Sequence, residues 1–200
     1  MKKLKSSLTN MVLVLTSVAV LMGCVLAWVN HITIGPISNQ KAQALANGIK
    51  AVMQADNLTV TSTDTVAFAD SKGKERTYII YNTEKGAAVQ SSTLGFGGDL
   101  KVLVGFDTEG NILGYTLLEH QETPGLGAKA DQWFQKGEKG DIIGRNPADG
   151  LIVKKDGGQV DAITASTITS RAFLLAVTNA FQAYKGNATD AQSGATKTNK

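Results

Sequence analysis

From Met11 to Val29 the chain carries no charged residue, and only Thr16, Ser17 and Gly23 interrupt its apolar side chains. Such a stretch is about long enough to cross the hydrocarbon of a bilayer as a helix, where every amide and carbonyl must find its partner within the segment. Lys2, Lys3 and Lys5 precede it, and the next Lys or Arg is Lys41. That asymmetry predicts a cytoplasmic N-terminus, one spanning helix over 11–29 and an extracytoplasmic (periplasmic) location for all that follows. Trp28 suits the interface where the helix leaves the membrane.

Two processing events compete with a retained helix. A cleaved signal peptide usually has a shorter apolar core and a small-x-small site, and none stands out here. Leu21-Met22-Gly23-Cys24 is similar to a bacterial lipoprotein cleavage site, yet Val25-Leu26-Ala27-Trp28-Val29 stays apolar beyond Cys24. An uncut anchor in the inner (cell) membrane accounts for the whole run.

Of the 20 Lys and Arg, three lie before the helix, leaving 17 against 17 Asp and Glu. A balanced domain has no electrostatic footprint for nucleic acid, so none is expected as a partner. The single cysteine, Cys24, lies inside the apolar run. That excludes an internal disulfide, a cysteine zinc site and a cysteine-held iron–sulfur cluster. His31 and His120 lack ligand-type spacing, and no metal site is expected.

Beyond the anchor, about 150 residues suffice for one domain with its own core. Asn39 to Gln54 reads as a helix starting at Ser38 after Pro36, with Ala42, Leu45, Ile49 and Met53 at helical spacing. Strand-like segments follow at Thr65 to Ala69, Arg76 to Tyr81, Ala87 to Gln90, Leu100 to Phe106 and Asn111 to Glu119. Asp107-Thr108-Glu109-Gly110-Asn111 has the composition of a hairpin turn. A short helix is expected over Asp131 to Gln135. Two strands are expected at Leu151 to Lys154 and Gln159 to Ile163, around Asp156-Gly157-Gly158. The last helix runs from Ser166 to Tyr184, with Leu174, Val177, Phe181 and Tyr184 on its apolar stripe. Together these predict an α+β fold with an antiparallel-rich sheet packed by helices on one side. From Gly186 the chain is small and polar, and a disordered tail is expected over 186–200.

The run Asp161-Ala162-Ile163-Thr164-Ala165-Ser166-Thr167-Ile168-Thr169-Ser170 opens that last helix. Free amides and the positive end of the helix dipole suit a phosphate there, and a hydroxyl can hold one or be esterified to it. The plainer reading is an N-cap from Thr164 or Ser166. The run resembles the Asp-x-x-(Ser/Thr)-Gly-Ala-Thr motif of the FMN-binding domain family, found in the Rnf and Na+-NQR respiratory complexes (their G and C subunits respectively). It departs in having Ala165 for the usual Gly and Ser166 for the usual Ala. The resemblance implies that Thr167 carries FMN through a phosphoester. Thr164, Ala165, Ser166, Ile168 and Thr169 would then lie about the phosphate, and Asp161 would orient the threonine for attachment. In the tail, Asp190-Ala191-Gln192-Ser193-Gly194-Ala195-Thr196 fits the motif more closely, which makes Thr196 an alternative attachment residue. Thr167 is preferred because a strand leads into its motif and an apolar helix leaves it.

Glu122-Thr123-Pro124-Gly125-Leu126-Gly127 follows the strand ending at Glu119. Its glycines permit close backbone approach and its proline stiffens a turn, as in many loops. It resembles the second signature of the same family, which implies that Glu122, Thr123, Gly125, Leu126 and Gly127 contact the flavin. Leu94-Gly95-Phe96-Gly97-Gly98-Asp99 is not a Walker loop. It either lines the flavin or simply turns the chain, and Trp133 either shields the pocket or belongs to the core.

The resemblance therefore implies a division into a cytoplasmic start (1–10), a transmembrane helix (11–29), a linker and helix (30–64), an FMN-binding domain (65–185) and a tail (186–200). It implies a subunit that relays electrons between ferredoxin and NAD, coupled to ion translocation. Its partners would be the other membrane subunits of an Rnf complex and a flavin transferase. The C subunit of Na+-NQR, or an anchored binding module without cofactor, are the alternatives.

Overall fold

The computed structural model describes residues 8–55, 58–69 and 75–186, in two compact units divided between Ala44 and Leu45. The lysines at 2, 3 and 5, and the tail with Thr196, lie outside the described residues. Helix α1 spans Leu8–Val52. In the first unit its large apolar side chains, Leu13, Leu21, Leu26 and Trp28 among them, are exposed. The helix is long and apolar enough to cross a membrane. The expected restart at Ser38 is not seen, because the helix runs through Pro36. A proline removes one amide donor from a helix already propagating on both sides. Ser38 does not cap; its hydroxyl donates to the Gly35 carbonyl at 2.8 Å.

The second unit is built on a five-stranded antiparallel meander in the order β1-β2-β3-β4-β5. The strands are β1 Val60–Ala69, β2 Glu75–Thr83, β3 Gly86–Leu94, β4 Asp99–Asp107 and β5 Ile112–Glu119. Alternation on β4 sends side chains to two faces. Leu100, Val102, Val104 and Phe106 enter one core, while Leu103 enters the other.

On the first face lies α3, Thr167–Tyr184. It buries Phe173, Leu174, Val177 and Phe181 against the sheet. On the second face lie Leu45, Ile49, Val52 and Met53, from the end of α1 and the turn after it. The sheet is thus covered on both sides, not one. The cause is a glycine pair in register on β4 and β5, Gly105 and Gly114. A Cβ at either would stand 2.4 Å and 3.0 Å from the Val52 carbonyl oxygen, so only glycine admits the helix end so closely.

The β4–β5 hairpin turns where the sequence indicates. Asp107 Oδ1 accepts the amides of Glu109, Gly110 and Asn111 at 2.9, 2.7 and 2.8 Å. Burial alone would raise the Asp107 pKa, but the bonds from Asn111, Gly110 and Glu109 outweigh it and leave the carboxyl below its usual range. The two expected strands around Asp156-Gly157-Gly158 reduce to a single parallel bridge, Val153 with Val160. Between them Lys154–Asp156 forms a 3-10 turn. With so few residues between them the segments cannot form a parallel ladder, which needs a long crossover. The short helix expected near 131 is α2, Ala130–Trp133.

Candidate cofactor site

Three segments that are distant in sequence meet at the start of α3: the β3–β4 connection, the loop after β5 and the hydroxyl-rich run. The β3–β4 connection turns on a bond from the Gly95 amide to the Gly98 carbonyl at 2.8 Å. It lifts Phe96 to 70% exposure. In the loop after β5, the Leu126 amide bonds the Thr123 carbonyl at 3.1 Å. Pro124 is second in that turn and Gly125 third, with φ +76°. This is the arrangement of a type II turn, whose third residue must take a positive φ.

Glu122 joins all three segments. It is only 5% exposed. Its Oε1 accepts the Phe96 and Gly97 amides at 2.8 and 3.3 Å, and its Oε2 accepts the Thr169 hydroxyl at 2.7 Å. A buried carboxylate needs such donors. Two glycines make room for it: a Cβ on Gly95 or Gly127 would lie 2.1 Å or 2.4 Å from a Glu122 oxygen.

The run into α3 makes a second tight turn, with the Ser166 amide bonding the Ile163 carbonyl at 3.0 Å. Its third residue, Ala165, has φ +61°. The expected N-cap is absent: Ser166 stands at the cap position with no side-chain cap bond. Ser170 serves the turn from inside the helix, its hydroxyl donating to the Ser166 carbonyl and accepting the Ile163 amide, each at 2.9 Å. The amides of residues 167 to 169 therefore face outward without a helical acceptor, as at any helix start.

These segments enclose a cavity of about 390 Å³. Its walls are Ala165, Ser166, Thr167, Ile168 and Thr169 on one side, and Glu122, Thr123, Leu126, Gly127 and Phe96 on the other. The structure thus brings together most of the predicted residues and leaves out three. Asp161 turns away, its carboxylate paired with Lys154 Nζ at 2.7 Å. Thr164 and Gly125 are exposed and off the wall. Trp133 does not line the cavity either; its indole donates to the Asp161 carbonyl at 2.9 Å and so fixes the approach to the motif.

Lys155 was not foreseen. From the 3-10 turn its Nζ reaches Thr167 Oγ1 at 3.0 Å. No periodicity signals this contact, because an irregular loop separates the two residues. The glycine-rich segment around Phe96 turns the chain and also lines the cavity.

The cavity suits a flat ring carrying an anionic tail. Phe96, Leu126 and Ile168 offer apolar surface, while a helix start and an ammonium meet at one hydroxyl.

Comparison with known proteins agrees with this. The FMN-binding domain family matches residues 95–182, which hold all the cavity walls. The G subunit of the ion-translocating oxidoreductase complex of Shewanella baltica is 33% identical over 174 residues, 80% of this chain and 82% of its own. The protein of that name from Aliivibrio fischeri is 33% identical over 170 residues, 78% of this chain and 80% of its own. That of Vibrio cholerae is 44% identical over 92 residues, 44% of each chain. Similarity of this extent, over most of the chain, makes it a member of the family of G subunits of ion-translocating oxidoreductase complexes, with an FMN-binding domain over residues 95–182.

Proposed function

We propose that this chain is the FMN-carrying subunit of an Rnf-type membrane complex, and that FMN is held by a phosphoester to Thr167. FMN supplies one- and two-electron redox chemistry, and the protein supplies position and surroundings. The complex relays electrons between ferredoxin and NAD while an ion crosses the membrane. The other membrane subunits are its partners.

The observation that carries the reading is the setting of Thr167. It is half-buried on the cavity wall, in the first turn of α3, beside Lys155 and next to outward-facing amides. Those amides and the helix dipole hold phosphate oxygens, while Phe96, Leu126 and Ile168 bound the ring on its apolar side. Thr169 and Glu122 spend their polar atoms on each other and on the Phe96 and Gly97 amides. Their part is to hold the walls together. No residue has to act as acid or base toward the electrons.

A flavin transferase would make the ester from a donor that carries FMN in a phosphoanhydride. Thr167 Oγ1 bonds the FMN phosphorus, the P–O–P bond breaks, the second phosphate leaves with the rest of the donor, and the hydroxyl proton passes to a base of that enzyme. Asp161, engaged by Lys154, is available to that enzyme from outside the cavity. The basic start of the chain orients the anchor with the N-terminus in the cytoplasm and the FMN domain on the extracytoplasmic side. Peptide mass spectrometry of protein from its host tests the assignment. The mass of FMN is expected on the Thr167 peptide and absent from a Thr167→Ala variant that still folds. Its presence on the Thr196 peptide alone, or on neither, would overturn the assignment.

A further inference from the structure

Three consecutive side chains of one short turn fasten onto the start of α3 and its approach. Lys154 Nζ bonds Asp161 Oδ2 at 2.7 Å, and Lys155 Nζ bonds Thr167 Oγ1 at 3.0 Å. Asp156 takes a two-point bond from Arg171, Nε and Nη2 each at 2.7 Å. The Arg171–Asp156 pair is the firm one, since forked guanidinium–carboxylate pairs fix geometry as well as charge. Its partners are also largely shielded from solvent, unlike Lys154 and Asp161. The turn is closed by Gly157 at φ +86° and pinned by the Lys154 amide on the Val160 carbonyl at 2.8 Å.

Of the three cations gathered here, Lys154 and Arg171 each have a carboxylate. Lys155 has none among the described residues; its polar contact is a neutral hydroxyl. An ammonium brought by a braced turn to an uncharged oxygen, while the neighbouring Asp156 is taken by Arg171, is half of an ion pair.

We propose that Lys155 is the counter-charge of the phosphate borne by Thr167, a positioning residue that presents the hydroxyl before esterification and neutralises the phosphodiester afterwards. This rests on the ester at Thr167. An ester there places one negative charge on phosphorus oxygens bonded to the atom that Lys155 already touches. The helix amides contribute neutral donors; Lys155 contributes the net charge. The device favours flavins that end in a phosphate over those that do not.

The full chain, coexpressed with the transferase and purified from its host membrane, provides the test. Two quantities are read: the rate at which the Thr167 peptide gains FMN mass, and the fluorescence anisotropy of the attached flavin from low to high salt. Lys155→Met should slow labelling by about threefold, the scale of one solvent-exposed charge pair. It should also lower the anisotropy at low salt to the value that wild type reaches only at high salt. Lys155→Arg should restore both, and Lys85→Met, in the turn between β2 and β3 at the opposite end of β3 from the cavity, should change neither. If wild type carries FMN on Thr167 while Lys155→Met labels and tumbles like wild type at every salt concentration, the counter-charge role is wrong and the attachment stands. If wild type lacks FMN on Thr167, both fall together.

Discussion

The meander and the loops that follow it are held by different means. From β2 to β5 the backbone bonds are made in the ladder, and alternating side chains fill two cores. From residue 120 to 166 there is almost no ladder. Side chains of Tyr115, Trp133, Asp141 and Asn146 bond backbone groups one at a time. Gly125, Gly137, Gly144, Gly150, Gly157 and Ala165 all turn the chain at positive φ. The sheet is therefore specified by many small equal contributions, and the loops by a few unequal ones. A change in the sheet should be felt everywhere, and a change in the loops should be felt where it is made.

The largest effect should come from the shared core. Phe106 is fully buried, with Phe181 and Tyr184 each 5.9 Å away between ring centres. Phe106→Ala should cost about 3–5 kcal/mol by denaturant unfolding, with all probes moving together. A loss below about 1 kcal/mol would mean that the sheet face is not the common core.

Glu122→Ala should cost about 2 kcal/mol, because it leaves the Phe96 and Gly97 amides and the Thr169 hydroxyl without their acceptor. Its signature is spatial. Amide exchange should quicken at residues 95–98 and 122–127 and stay unchanged at Val102 and Val104. Equal quickening at both would erase the distinction between the two regions.

Tyr115 stands on the border between them. Its hydroxyl donates to the Ala130 carbonyl at 2.8 Å and accepts the Phe134 amide at 3.1 Å, tying β5 to α2. Tyr115→Phe should cost about 1 kcal/mol. Burial, aided by the charges of Asp131, Asp141 and Glu138, pushes the phenol pKa well up, against the smaller opposing effect of the Phe134 amide. The folded state thus keeps the proton where the unfolded chain loses it. That stability is present below about pH 10 and is lost as pH rises beyond it. Burial raises Tyr81 and Tyr184 as well. Tyr115→Phe should flatten the alkaline limb of the stability curve in part, and an unchanged limb would assign it to the other two.

What the sequence shows of this molecule follows the same division. Strands β2 to β5 and helix α3 are legible because burial repeats with their periods, at Leu100, Val102, Val104 and Phe106 or at Leu174, Val177 and Phe181. The cover on the second face is not, since Gly105 and Gly114 read as weak strand residues until their pairing is known. Two walls of the site are legible as motifs. The contacts that brace them depend on the path of an irregular loop: Lys155 on Thr167, Trp133 on Asp161, Arg171 on Asp156. No period announces such a path.

The smallest effect lies at the one place where the sequence departs from the motif and the backbone objects. Two turns of like form build the site, each with a positive φ at its third residue. Gly125 answers the demand at +76°; Ala165 meets it at +61° with a Cβ in the way. A non-glycine residue held there costs about 1–2 kcal/mol. Ala165→Gly removes that strain but returns about 0.4–1 kcal/mol of freedom to the unfolded chain. The net should be a gain of about 0.5 kcal/mol, read as a raised midpoint of thermal unfolding. At nearly every ordinary position the same substitution lowers stability, so the sign of the change is the test. A fall would mean that the methyl group of Ala165, on the cavity wall, contributes more by packing than its backbone strain costs.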